Sequence, residues 1–128
     1  MKFKLFFLIF FLTSCTSSNI NNQKNTFIPY TSKGFALIYN DDDFNNKLIS
    51  KKLDNQKLLI AHNKLKKNTI ITLTNVNNKK SITLKVAKNI DYPNFYKILI
   101  TQKVADELKI DKNLPFVDLQ QKVQNVSF

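Results

Sequence analysis

The chain has 128 residues and a formal net charge of +11, and all 20 of its basic residues are lysine. That length holds one small domain with a modest core, and the lack of arginine removes the bidentate phosphate and base contacts of specific nucleic-acid readers. The single cysteine excludes an intrachain disulfide, a lone cysteine and a lone histidine far apart argue against zinc, and the single glycine excludes a glycine-rich phosphate loop.

Met1–Ser14 reads as a targeting segment. Lys2 and Lys4 precede the apolar run Leu5–Leu12, which is too short to span a membrane and suits the centre of a secretory signal. It ends in Leu12-Thr13-Ser14-Cys15, which resembles a bacterial lipobox. The resemblance implies cleavage before Cys15 and acylation of its sulfur and of the new amino terminus; stable anchoring takes more than one acyl chain. Residues 15–33 are rich in Ser, Thr and Asn with little periodicity and are expected to form a flexible tether, which Pro29 keeps free of regular structure.

The folded domain is expected over residues 34–119, with 120–128 as a tail of weak signals. Gly34–Tyr39 opens it. Asp41-Asp42-Asp43-Phe44-Asn45 spaces its carboxylates like a calcium loop, but Asn46 replaces the turn glycine and Lys52 the bidentate glutamate, so an acidic surface loop is expected. With one glycine available, left-handed turn positions should fall largely to asparagine. Leu58–Ala61 is a short apolar run ending at the only histidine, His62. Thr69–Asn75 is rich in β-branched residues, and Ser81–Val86 alternates strictly between polar and apolar, the period of a half-buried strand. The bend Val76–Lys80 joins them. Ala87–Phe95 is irregular, Tyr96–Ile100 is strand-like, and Gln102–Lys109 suits a short helix with Thr101 as N-cap and Val104, Ala105 and Leu108 on one face. Phe116–Leu119 is the last predicted strand.

Leu59-Ile60-Ala61-His62, followed by Leu65, Thr69, Thr74-Asn75 and an alternating strand, resembles the rare lipoprotein A (RlpA) family. The likeness runs from Gly34-Phe35-Ala36-Leu37-Ile38-Tyr39, similar to that family's opening strand, to Phe116-Val117-Asp118-Leu119, similar to its closing one. It implies an all-β fold, a six-stranded double-psi β-barrel with one short helix. Several members of the family are lytic transglycosylases that cut peptidoglycan to 1,6-anhydro ends, which requires a group that exchanges protons near neutral pH.

Carried over residue by residue, the family's histidine falls on His62, which is then the catalytic candidate if the chain is active. One family aspartate falls on Lys88 and a second on Leu99. A lysine near its reference pKa of about 10.4 is a poor base, and beside His62 it would lower the histidine's pKa. Asp91 is the one acid near enough in sequence to stand in. His62 is open to two roles, a hydrogen-bonding residue of the barrel or a glycan contact. The leading expectation is a bacterial cell-envelope lipoprotein, anchored through Cys15 at the outer membrane and facing the periplasm. It binds peptidoglycan, a cell-wall enzyme or a division protein without catalysis, needs no cofactor or metal, and does not bind nucleic acid. The alternatives are an endolytic transglycosylase and a purely structural envelope lipoprotein.

Overall fold

The computed structural model describes residues 27–123. The leader, Cys15 and most of the expected tether lie outside the described residues. Six strands and two short helices follow in the order β1 (Thr31–Ile38), α1 (Asp41–Asn45), β2 (Ile60–His62), β3 (Ile70–Asn75), β4 (Ser81–Asn89), β5 (Ile98–Ile100), α2 (Gln102–Glu107) and β6 (Phe116–Gln121). Among the described residues, no helix is long and apolar enough to cross a membrane.

The strands close into a barrel in the order β1-β5-β2-β4-β3-β6, with β6 returning to β1. Closure leaves no unpaired edge to recruit another chain. The pairs β1/β5 and β2/β4 are parallel, and the other four are antiparallel. Exchanging β1, β2 and β3 with β4, β5 and β6 reproduces every neighbour and both parallel pairs. The barrel therefore has the pseudo-two-fold connectivity of a double-psi fold, as the family resemblance implies.

Alternation fills the inside. All six strands send apolar residues inward, among them Ala36, Ile60, Leu73, Val86, Ile100 and Leu119, and Val104, Ala105 and Leu108 of α2 join them. A second cluster covers the outer face where β1, β2 and β5 meet: Leu37, Ala61 and Leu99 lie under Ile49, Leu53 and Tyr92. The run Ile98-Leu99-Ile100 is thus buried on both faces, which is why it is apolar without interruption.

Element ends differ from the sequence reading in instructive ways. β1 begins at Thr31, inside the expected tether, and β6 continues through Gln121, because Thr31 and Ser32 pair with Gln120 and Leu119. β4 runs on to Asn89, past the end of its alternation. Its first half pairs with β3 and its second with β2, and the register slips where Ile60 faces Val86 but Ala61 faces Lys88. That bulge at Ala87 is what breaks the sequence pattern.

The acidic segment is a helix rather than a loop. Asn40 caps it, accepting from the Asp43 amide at 2.8 Å and donating to the Asp43 carboxylate at 3.0 Å. Three aspartates in the first turn complement the amide dipoles there. Thr101 does stand at the N-cap position of α2, but its side chain makes no capping bond; its hydroxyl donates to the Lys57 carbonyl at 2.6 Å. The cap comes from Asn55, whose side-chain oxygen accepts from the Gln102 amide at 2.9 Å.

Both helices end in the same way. Lys47 and Lys109 follow the C-caps with φ of 64° and 50°. The amides of Leu48 and Ile110 reach back to Asp43 and Ala105, and those of Lys47 and Lys109 to Phe44 and Asp106. These are Schellman turns with lysine where glycine is usual. Of the four left-handed non-glycine positions among the described residues, Lys47, Lys79 and Lys109 are lysine and only Asn68 is asparagine. The expectation that asparagine would take these positions is corrected accordingly.

Candidate functional site

His62 ends β2 and lies inside the barrel, not at a groove: 1% of its surface is exposed. Its ring meets Tyr30 edge-on at 5.2 Å, and Tyr30 packs against the inner core. Nδ1 accepts from the amides of Lys64 at 3.0 Å and Leu65 at 3.1 Å. Two donors on that lone pair fix the neutral tautomer with its proton on Nε2. Nε2 is buried and has no hydrogen-bond partner among the described residues. An orphaned donor of this kind costs about 1–3 kcal/mol.

Burial lowers the His62 pKa from 6.5 to about 4, with the charge of Lys64 adding to the effect. The Lys97 carbonyl pulls the other way but does not meet Nε2 in hydrogen-bonding geometry. The direction is the one expected from a nearby lysine; the cause is burial first and then Lys64, not Lys88. Protonation at Nδ1 would also turn the acceptor of two amides into a third donor, opening the turn after β2.

The register brings together the positions to which the sequence comparison pointed. Ala61 pairs with Leu99 on one side and with Lys88 on the other. Strand alternation puts all three on the outer face, opposite the His62 side chain. Leu99 is buried beneath the outer cluster. Lys88 is exposed and donates to the Lys52 carbonyl at 3.1 Å. Asp91 is exposed too, and its backbone is held by Ser50, whose hydroxyl accepts from the Asp91 amide at 2.9 Å. Among the described residues, no carboxylate acts on the imidazole.

Two buried polar residues were not singled out for these roles by the sequence, Tyr92 beside the turn that follows His62 and Asn75 at the opposite end of the β3–β4 pair. Tyr92 is buried in the outer cluster; its hydroxyl accepts from the Asn63 amide at 3.3 Å and donates to the Lys97 carbonyl at 3.4 Å, and burial raises its pKa. Asn75, part of the Thr74-Asn75 pair, is also buried. It donates to the Leu108 carbonyl at 3.0 Å and the Lys109 carbonyl at 3.3 Å, and accepts from the Asn77 amide at 3.1 Å. It ties the hairpin to the end of α2. A short polar residue at the end of an alternating strand is the only hint of this in the sequence.

Surface features lie elsewhere. Phe95 stacks on Phe35 at 5.5 Å and meets Tyr96 edge-on at 5.2 Å, while 64% of its surface stays exposed. Tyr96 then lines a shallow cleft with Asn40, Gln102 and Lys112. A second cleft at the far end of β6 is lined by Phe27, Lys66, Lys67, Lys122 and Val123. From Asn55 to Ile90 the chain has eight lysines and no acidic residue. The chain matches no protein-family model and no curated protein.

Proposed function

We propose that this chain is an RlpA-like lipoprotein of the bacterial cell envelope that binds peptidoglycan without cleaving it. The observation that carries the non-catalytic part is the state of His62: neutral, enclosed, and engaged at Nδ1 by two backbone amides. A general acid or base must lie within reach of the group whose proton it moves, and neither ring nitrogen meets solvent. The two positions at which the family resemblance expects aspartate hold Lys88 and the buried Leu99, so no second proton carrier is at hand.

Binding has separate support. Glycan stem peptides carry carboxylates, and the acid-free lysine stretch provides a complementary field. Phe95 offers the ring face not covered by Phe35, a surface on which the apolar face of a sugar can rest. In the cleft beyond Tyr96, the Asn40 side chain is held by Asp43 and Gln102 Nε2 by Asp106, which leaves the Gln102 side-chain oxygen and the Lys112 ammonium for the sugar's hydroxyls and acetamido groups.

The test is incubation of the purified protein with sacculi, followed by sedimentation and analysis of the released muropeptides. The protein should co-sediment, detach as salt rises, and release no anhydromuropeptides. Phe95→Ala should weaken retention. Release of anhydromuropeptides by the wild type, abolished by His62→Ala, would overturn the non-catalytic reading. Failure to co-sediment at low salt would overturn the binding reading.

A further inference from the structure

The lysine-lined cleft at the end of β6 differs from an ordinary solvated surface. Three lysines, Lys66, Lys67 and Lys122, share it with Phe27 and Val123, and no acidic side chain lines it. Phe27 is 57% exposed, the adjacent Ile28 81% and Val123 49%. Large apolar side chains lie open beside cations. The backbone holds the patch in place: the Lys122 amide bonds the Ile70 carbonyl at 2.9 Å, the Thr69 amide the Lys66 carbonyl at 3.1 Å, and the Asn68 amide the Val86 carbonyl at 2.8 Å.

We infer that this end of the barrel docks on the surface of an anionic phospholipid bilayer. The composition is that of an interfacial surface, in which ammonium groups meet lipid phosphates while large apolar side chains enter the headgroup region. Glycan strands or nucleic acid would use the lysines and stack at most on Phe27, leaving the aliphatic Ile28 and Val123 in water. The inference rests on the proposed envelope anchoring in one respect. Eleven residues lie between Cys15 and Phe27, so covalent geometry alone keeps Phe27 within about 40 Å of an anchored Cys15. Such a tether holds the patch at millimolar effective concentration above the membrane. Weak attraction, about fivefold in partitioning per lysine near an anionic surface, then suffices to seat the barrel. Lys79 and Lys80 lie in the β3–β4 turn at the opposite end of β3 and should face away.

The experiment is lysine footprinting of the full chain as purified from cells, bound to vesicles of phosphatidylcholine alone or mixed with phosphatidylglycerol. Acetylation by a water-soluble reagent is read residue by residue. Lys66, Lys67 and Lys122 should label about fivefold more slowly on anionic vesicles than on neutral ones, with Lys79 and Lys80 unchanged. The protection should vanish at about 0.5 M salt. Equal labelling on both vesicles, equal protection of Lys79 and Lys80, or protection by sacculi but not by vesicles would each overturn the inference. The glycan reading is scored separately by sedimentation, so either can fail without the other.

Discussion

His62 should make the barrel lose stability on mild acidification, between neutrality and the range where carboxylates titrate. Its folded pKa, about 4, lies below the ordinary 6.5. Above pH 6.5 both the folded and unfolded chains carry neutral imidazole, and stability is complete. As pH falls through that window the unfolded chain takes up the proton first, so folding free energy drains away until about pH 4 and then levels off. The full effect, at 1.36 kcal/mol per pH unit, is on the order of 3 kcal/mol, of which about 2.5 kcal/mol is lost by pH 4.5. The assay is urea unfolding at about pH 7.5, 5.5 and 4.5 on wild type and His62→Asn. Asparagine can accept from the amide two residues on, as Nδ1 does, but has no proton to gain. The variant keeps every carboxylate, so the difference between the two chains isolates the histidine. With a urea dependence of about 1–1.5 kcal/mol/M, the wild-type midpoint should fall toward the variant's by about 2 M between pH 7.5 and 4.5. Parallel acid dependence of the two chains, or an imidazole that titrates near pH 6.5 by NMR, would refute the reasoning.

Asn75→Ala should cost about 2 kcal/mol in urea unfolding, because it removes the side-chain donor to the Lys109 carbonyl, leaves the Leu108 carbonyl to Asn78 alone, and removes the turn bond to Asn77. Lys109→Gly should stabilise the fold by about 0.5–1 kcal/mol, the relief of a left-handed lysine less the entropy of an added glycine; destabilisation would mean that the Lys109 side chain has a role beyond its turn. Gly34→Ala would put a Cβ 2.7 Å from Lys97 Cγ, in a side chain whose backbone is fixed to Phe35. A loss of about 1–2 kcal/mol is expected, and Lys97→Ala in the same chain should recover most of it. Failure of that rescue in the double-mutant cycle would place the clash elsewhere.

Local patterns revealed the strands, the family resemblance implied the barrel they close into, and what depends on distant partners stayed hidden. Alternation in Ser81–Val86 and the unbroken Ile98–Ile100 run gave strands of the right kind, since one is half-buried and the other covered on both faces. The helix face Val104, Ala105 and Leu108 was equally legible and is buried as expected. The cap of α2 was not, because Asn55 comes from 47 residues away. Nor was the α1 helix: five residues are too few for periodicity, and its Asn40–Asp43 cap is visible only once the helix is known. The left-handed lysines follow from helix ends that local composition disguises. For the candidate site, the sequence singled out His62 and the two positions flanking Ala61, and the register does set 61, 88 and 99 side by side. Which face each side chain takes was beyond it, since the bulge at Ala87 resets the alternation just before Lys88.

The connectivity also has a consequence for how the chain acquires its fold. β1 finds its partners in β5 and β6, the last two strands, and β2 in β4 and β5. Only the β3–β4 hairpin joins consecutive strands. Most pairing therefore has to bridge long stretches of chain, which slows folding relative to locally paired proteins of similar size. A growing polypeptide cannot seat its first strand until residues near 121 have been made. Until then β1 stays extended and free to be handed on as an unfolded chain, and the hairpin between Ile70 and Asn89 is the one substantial piece of structure that can form ahead of the rest.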